Sequence, residues 1–370
     1  MDFDFTEEQT LLRQSLAGYL EKNYSFEQRQ AIVRSDRPFS ADVWAALGEF
    51  GLLGLPLPED VGGSGGSAAD LVAVGEVLGE HLVVEPYLSS VVLAGRALAA
   101  VGDSSAARTW LQRIATGDAL AAFAHEEGRG TPDPAQVALH CSREGDGFRL
   151  DGEKHVVLGG AEADVLVVTA RLEGAGGPAL LVVESGAPGL RRTPFPTVDG
   201  RSAAHVVFDG VVVPAENCLA PDASAALADV LSGAVLALAA EGVGAMGALL
   251  RLTGAYAATR TQFGVAIVTF QAVAHRLADM KMACLQARAT LLHTAALAEA
   301  GRATPRDLSV LKAQVGRLGR LVGEAAVQIH GGVGMTDELS IGHYLKRLLV
   351  LDALFGDSEH HYRLVGAAPR

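Results

Sequence analysis

The side chains able to do chemistry gather in a few places. In QIHGGVG, Gln328 offers both a donor and an acceptor to an adenine or phosphate neighbour. Gly331 and Gly332 let a backbone approach a ligand with no Cβ in the way. By themselves these residues fit a glycine-rich turn between helices equally well. Glu241 stands in an otherwise apolar stretch, ALALAAEGVGAM, where desolvation would raise its pKa and suit it to the role of general base. The competing reading is a helix carboxylate satisfied by an arginine, with Arg251 and Arg260 as candidates. Gly242, Gly244 and Gly247 match G-x-G-x-x-G, but a dinucleotide loop needs a strand before it. Here the motif follows VLALAAE, which has helical texture, so its glycines are expected to serve close helix packing. His360 and His361 lie beside Asp357 and Glu359. Adjacent helical residues point in different directions, so a solvated terminal turn is expected and no metal site.

The elements that must position these groups fall into three textures. Residues 1–118 read as an N-terminal helical domain, with Leu11, Leu12, Leu16, Tyr19 and Leu20 spaced to form one buried face. Ser40 is placed to cap the helix that begins ADVWAALGEF, and the prolines and glycines of LPLPEDVGGSGGS demand a loop. Residues 119–216 alternate short β-branched runs with glycine turns, as a small antiparallel barrel or sandwich would. Residues 222–370 are helical again, rich in Ala and Leu, with the clearest break between Gly301 and Pro305. The order predicts an α+β chain whose last helices form a four-helix bundle. A net charge of -13 argues against general nucleic-acid binding, although local basic residues can still meet an anionic ligand. Cys141, Cys218 and Cys284 are too far apart for a metal pair or small disulfide framework, and MDFDFTEEQ lacks the order of a signal peptide. With no uninterrupted apolar run of about 18 residues, no membrane span is expected, and a reducing cytoplasm fits.

Two segments are more specific than any of these. YAATRTQFGVAIVTFQAVAHRLADM, from Tyr256 to Met280, and QIHGGVGMTDELSIGHYLKRLLVLDALFGD, from Gln328 to Asp357, resemble the acyl-CoA dehydrogenase flavoproteins. The resemblance spans nearly the whole chain; it is strong over 240–361 and loose in the β region. It implies FAD as cofactor, an acyl-CoA thioester as substrate and electron-transfer flavoprotein as electron acceptor. It also implies FAD contacts at Arg260, Gln262, Phe263, Phe270, Gln271, Gln328, Ile329, Gly331 and Gly332. A guanidinium such as that of Arg260 can bracket pyrophosphate oxygens with its donors.

The departures from the family pattern matter as much. Relatives carry a catalytic glutamate followed by glycine and threonine, where this chain has Phe355, Gly356 and Asp357. A second position used for that glutamate is Ala234 here; Glu241 follows it by two turns, on about the same face at ~3.6 residues per turn. In the β region, FAHEEGRG from Phe123 to Gly130 replaces a threonine-bearing flavin motif, with Glu126 near the threonine, and Glu126 and Glu127 read as a charged loop. HVVLG from His155 to Gly159 replaces a second flavin motif, with Val157 at its threonine. This combination resembles the small, β-type subunits of bacterial two-subunit enzymes, which complete an FAD site in an α2β2 assembly. Two other readings stay open: a homo-oligomeric dehydrogenase using Glu241, and a non-redox acyl-CoA-binding or scaffold protein.

Overall fold

Among the described residues, three helices begin with reciprocal caps. Thr6 and Gln9, Ser67 and Asp70, and Thr304 and Asp307 each exchange side-chain bonds with the other's backbone N–H, and so satisfy donors that a helix start leaves open. A computed structural model describes residues 5–102, 104–128, 133 and 135–367. The helices that matter below are α1 (Glu7–Asn23), α2 (Phe26–Val33), α3 (Ala41–Glu49), α4 (Ala68–Glu80), α5 (Arg96–Ala99) and α6 (Ser105–Thr116). Later in the chain come α7 (Ser224–Thr259), α8 (Gln271–Glu299), α9 (Pro305–His330), α10 (Ser340–Ala353) and α11 (Ser358–Ala367). Ser40 does cap α3, accepting from the Val43 amide at 3.3 Å. The proline-glycine stretch before α4 holds two short 3-10 turns, Leu52–Gly54 and Glu59–Val61. Tyr87–Gly95 is a π-helix, a departure no apolar periodicity announces.

The chain packs into two compact units, one made of Met1–Gln30, Ser67–Val83 and Val235–Arg370, the other of Ala31–Gly66 and Val84–Ala234. The helices before residue 118 are thus divided between them. In the first unit α4 lies against α1 and α8, while α9 packs on α8, α10 and α11. Buried Glu76 of α4 pairs with Arg13 of α1 at 2.8 Å and with Arg288 of α8 at 2.9 Å. The glycines of the G-x-G-x-x-G run sit within α7. A Cβ on Gly244 would strike the Glu76 backbone, and one on Gly79 would strike the Glu241 backbone, so α4 and α7 cross where neither helix has a side chain. α7 is long and apolar enough to cross a membrane, but 83% of its most apolar window is buried inside the protein.

The second unit is built on strands β1 (Ala121–Ala124), β2 (His140–Glu144), β3 (Gly147–Leu158), β4 (Val165–Leu172), β5 (Ala179–Glu184), β6 (Leu190–Pro196), β7 (Ser202–Pro214) and β8 (Cys218–Ala220). They form one sheet in the order β6-β7-β3-β2-β4-β5-β8, with β1 added on β4. Most pairings are antiparallel, as expected, but β4 pairs in parallel with both β1 and β2. One face of each strand supplies a shared apolar core, including Leu150, Leu166, Val168, Leu181, Val206 and Phe208.

Candidate functional site

α7 ends at Thr259, and the next residues fold into a hairpin of β9 (Thr261–Gln262) and β10 (Val265–Ala266). Its turn residues, Phe263 and Gly264, have φ of +52° and +83°, which is what a two-residue turn of the primed type requires. Glycine takes that conformation freely; a phenylalanine pays roughly 1 kcal/mol for it. Phe263 is nevertheless 93% exposed, leaning edge-on against Phe270 with ring centroids 6.1 Å apart. A strained, solvent-facing aromatic does nothing for this unit's own core. Phe270 leads directly into α8, whose first residue is Gln271.

The second segment closes α9. Gln328 is exposed, Ile329 half-buried and His330 buried, with His330 Nδ1 2.8 Å from the Ala326 carbonyl. Gly331 then turns the chain at φ +67°, and a Cβ on either Gly331 or Gly332 would meet open space. His330 stacks on Tyr256 with centroids 4.3 Å apart. Tyr256 lies one helical turn before Arg260, whose amide donates to the Tyr256 carbonyl at 2.8 Å. That stack joins the two segments, which are far apart in sequence, into one exposed ledge. No local pattern assigns a role to Tyr256 or His330; only a contact between distant residues reveals it. Among the described residues, no hydrogen bond or ion pair engages the side chains of Arg260, Gln262, Gln271 and Gln328. A cation and three amides, exposed and uncommitted, can take a phosphate or a nucleobase edge arriving from outside.

The candidate bases are placed very differently. Glu241 is buried, and its carboxylate receives Arg347 Nε at 2.7 Å on one oxygen and Arg347 Nη2 at 2.6 Å on the other. The arginine that satisfies it is therefore neither Arg251, which pairs with Glu80 at 2.7 Å, nor the exposed Arg260. Both Glu241 oxygens are engaged by one guanidinium, which blocks the approach of a C–H bond. Ala234 is fully buried and has no titratable group. Phe355 is half-buried at φ +56°, followed by Gly356 at +92°. This loop is clamped from below: Lys312 Nζ donates to the carbonyls of Asp352 at 2.6 Å and Gly356 at 2.8 Å. His361 Nε2 lies 3.1 Å from the Phe355 carbonyl, which can only accept, so that nitrogen carries the proton. His361 is thus a buried anchor and not part of a solvated turn, and burial pushes its pKa down to about 4.

In the β unit, the acidic pair is also more than a charged loop. Glu127 accepts from Lys154 Nζ at 2.6 Å and from the amides of Ala138 and Leu139 at 2.6 and 2.9 Å. Burial pushes Glu127 up, but the Lys154 charge and these bonds hold its carboxyl below the usual range. Lys154 is wholly buried, and burial brings its pKa down to about 8. Its ammonium also reaches the His125 carbonyl at 3.1 Å and the Thr169 hydroxyl at 3.2 Å. Thr169 in turn lies 2.9 Å from His125 Nδ1, and desolvation drives His125 down to about 4. Glu126 is raised by burial, and its carbonyl accepts from the His155 amide at 2.9 Å. Val157 is fully buried in the apolar core. Arg129 and Gly130, the end of the FAHEEGRG segment, lie outside the described residues. His125, with the buried lysine behind it, is the group that sequence reasoning missed here.

The chain thus carries an exposed polar ledge on a helical unit and a second unit built on a sheet. Residues 6–118, 122–211 and 226–368 match the N-terminal, middle and C-terminal domains of acyl-CoA dehydrogenases. Acyl-CoA dehydrogenase FadE28 of Mycobacterium tuberculosis is 31% identical over 99% of this chain and 98% of its own length. Among solved structures, the ChsE4-ChsE5 complex from Mycobacterium tuberculosis contains a chain of 28% identity and TM-score 0.91, with both chains covered in full. A chain of a variant of the Tcur3481-Tcur3483 steroid ACAD has 29% identity and TM-score 0.88, with 97% of each covered. The chain belongs to the acyl-CoA dehydrogenase family. It is an oxidoreductase of the acyl-CoA dehydrogenase class.

Proposed function

We propose that this chain is the β-type subunit of a two-subunit acyl-CoA dehydrogenase. It presents its ledge to the FAD of a homologous α-type partner and supplies no base of its own. The observation that carries this reading is the Glu241–Arg347 pair, which commits the carboxylate that follows the Ala234 position by two helical turns. Phe355 and Ala234 leave both glutamate positions without a proton acceptor. Against these losses stands a ledge whose polar side chains are exposed and uncommitted. It fits the phosphate and adenosine half of FAD: Arg260 would bracket phosphate oxygens, and Gln271, Gln328 and Gly331–Gly332 would line the nucleotide. Gln262, Phe263, Phe270 and Ile329 would complete that wall. FAD, when bound, supplies the acceptor for the substrate's β-hydride; the abstraction of the α-proton then falls to the partner's carboxylate. Similarity to a chain of the ChsE4-ChsE5 complex supports an assembly of unlike subunits. An α2β2 tetramer acting on an acyl-CoA thioester, with electron-transfer flavoprotein as acceptor, follows from this reading.

Flavin absorbance of the purified chain, with and without its co-expressed homologue, tests it. We expect little FAD and no dehydrogenation from the chain alone, and stoichiometric FAD with turnover from the pair. Stoichiometric FAD and turnover on the isolated chain would overturn it in favour of a homo-oligomeric enzyme. A pair that binds acyl-CoA with neither flavin nor turnover would instead leave a non-redox binding protein.

A further inference from the structure

A second polar cluster lies on the outer face of the sheet. β3 and β7 pair with Glu153 opposite Val207 and Lys154 opposite Val206, and the register resumes only at Val157 opposite Ala204. The irregularity between them is a bulge, and a bulge re-aims the side chains beside it. It sets His155 alongside His205, with imidazole centroids 5.0 Å apart and planes 28° from parallel. Glu153 faces both: one carboxylate oxygen is 3.2 Å from His155 Nε2, and the other is 3.1 Å from His205 Nε2. The three ligand atoms all lie within 4.8 Å of one another.

We propose that Glu153, His155 and His205 form a binding site for a divalent transition cation of the zinc type. Two imidazoles and one carboxylate are the donor set that zinc, cobalt and nickel take, with water filling the open position. Ligands at ~2.0–2.1 Å around a tetrahedral zinc stand about 3.3 Å apart, close to the nitrogen–oxygen separations already present. The strands hold the donors in place: Lys154, between Glu153 and His155, is buried and bonded to Glu127, and Val206 beside His205 is buried in the core. All three donors remain partly exposed, between 34% and 52%, so a cation can enter directly from solvent. A bound cation would tie β3 to β7 at the bulge, where the ladder is interrupted. This site departs from the expectation of no metal, and it uses histidines other than the His360–His361 pair. It does not depend on the subunit role proposed above.

The test is a titration of untagged, chelator-stripped protein with Co2+, read by visible d–d absorption and displaced with Zn2+. One Co2+ per chain is expected, with binding abolished in the His155→Gln/His205→Gln double variant and weakened at least tenfold in Glu153→Gln. Circular dichroism establishes that each variant is folded; should the double variant fail, His205→Asn alone carries the same expectation. His360→Gln should bind as the parent does. Absence of saturation at millimolar Co2+, binding that survives in the folded histidine variants, or loss of binding in His360→Gln would each overturn the site.

Discussion

A carboxylate gripped by two donors of one guanidinium has its charge neutralised and its oxygens occupied at the same time. Buried Glu241 is held in this way by buried Arg347, so its first duty is to keep that arginine paired. Glu241→Leu alone should cost about 3–5 kcal/mol, because it removes the carboxylate that meets two donors of a buried cation. Glu241→Leu with Arg347→Met should recover most of that loss, since two apolar side chains can fill the volume of the pair. Urea unfolding of the parent, both single variants and the double variant checks this; additive losses would mean the two groups are not one unit. Arg260 behaves oppositely, being exposed and uncommitted in the chain itself. In the assembled pair, Arg260→Lys should weaken FAD binding about tenfold, roughly 1.4 kcal/mol, by removing bidentate geometry while keeping the charge. Flavin released on dilution measures it, and unchanged retention would remove Arg260 from the FAD contacts.

Helix α7 shows how one element can serve packing at one glycine and nothing at the next. Gly244 faces the backbone of Glu76 with no room for a methyl group, whereas Gly247 faces open space. Gly244→Ala should therefore destabilise by about 1–3 kcal/mol or more, as overpacked interfaces do. Gly247→Ala should be neutral or stabilise by about 0.4–1 kcal/mol, because it removes freedom from the unfolded chain without a clash. Thermal melts of the two variants, expected to move in opposite directions, check it. The motif's failure as a nucleotide loop was legible from the helical sequence before it; the choice of which glycine carries the crossing was not, because that depends on where α4 passes. The same holds for the hairpin after α7. R-x-x-F-G marks a turn, but the exposure of Phe263 follows from what surrounds it in space.

Across the whole molecule, two histidines drawn partly or wholly out of solvent make stability depend on acid. His125 and His361 are both pushed down to about 4, chiefly by burial, while the unfolded chain's histidines titrate near ~6.5. Between those values the unfolded state binds more protons, so stability is fully present above about pH 6.5 and is lost as pH falls toward 4. Each group adds up to about 1.4 kcal/mol per pH unit to the slope in that window. His361→Gln should flatten the part of the slope that belongs to it, as urea unfolding across pH 4–7 would show; an unchanged slope would place the acid sensitivity elsewhere. The chain's order of helical, β and helical segments, its family and its ledge residues were written in local patterns of apolar spacing, turn residues and two long motifs. Periodicity and motif spacing report on neighbours along the chain, and those features are local. Which arginine holds Glu241, the Tyr256–His330 stack that joins the two motifs, and the buried Lys154 behind His125 were decided by tertiary structure alone. Each is a contact between residues distant in sequence, and the energy of a buried charge or a stacked ring depends on what folding brings beside it.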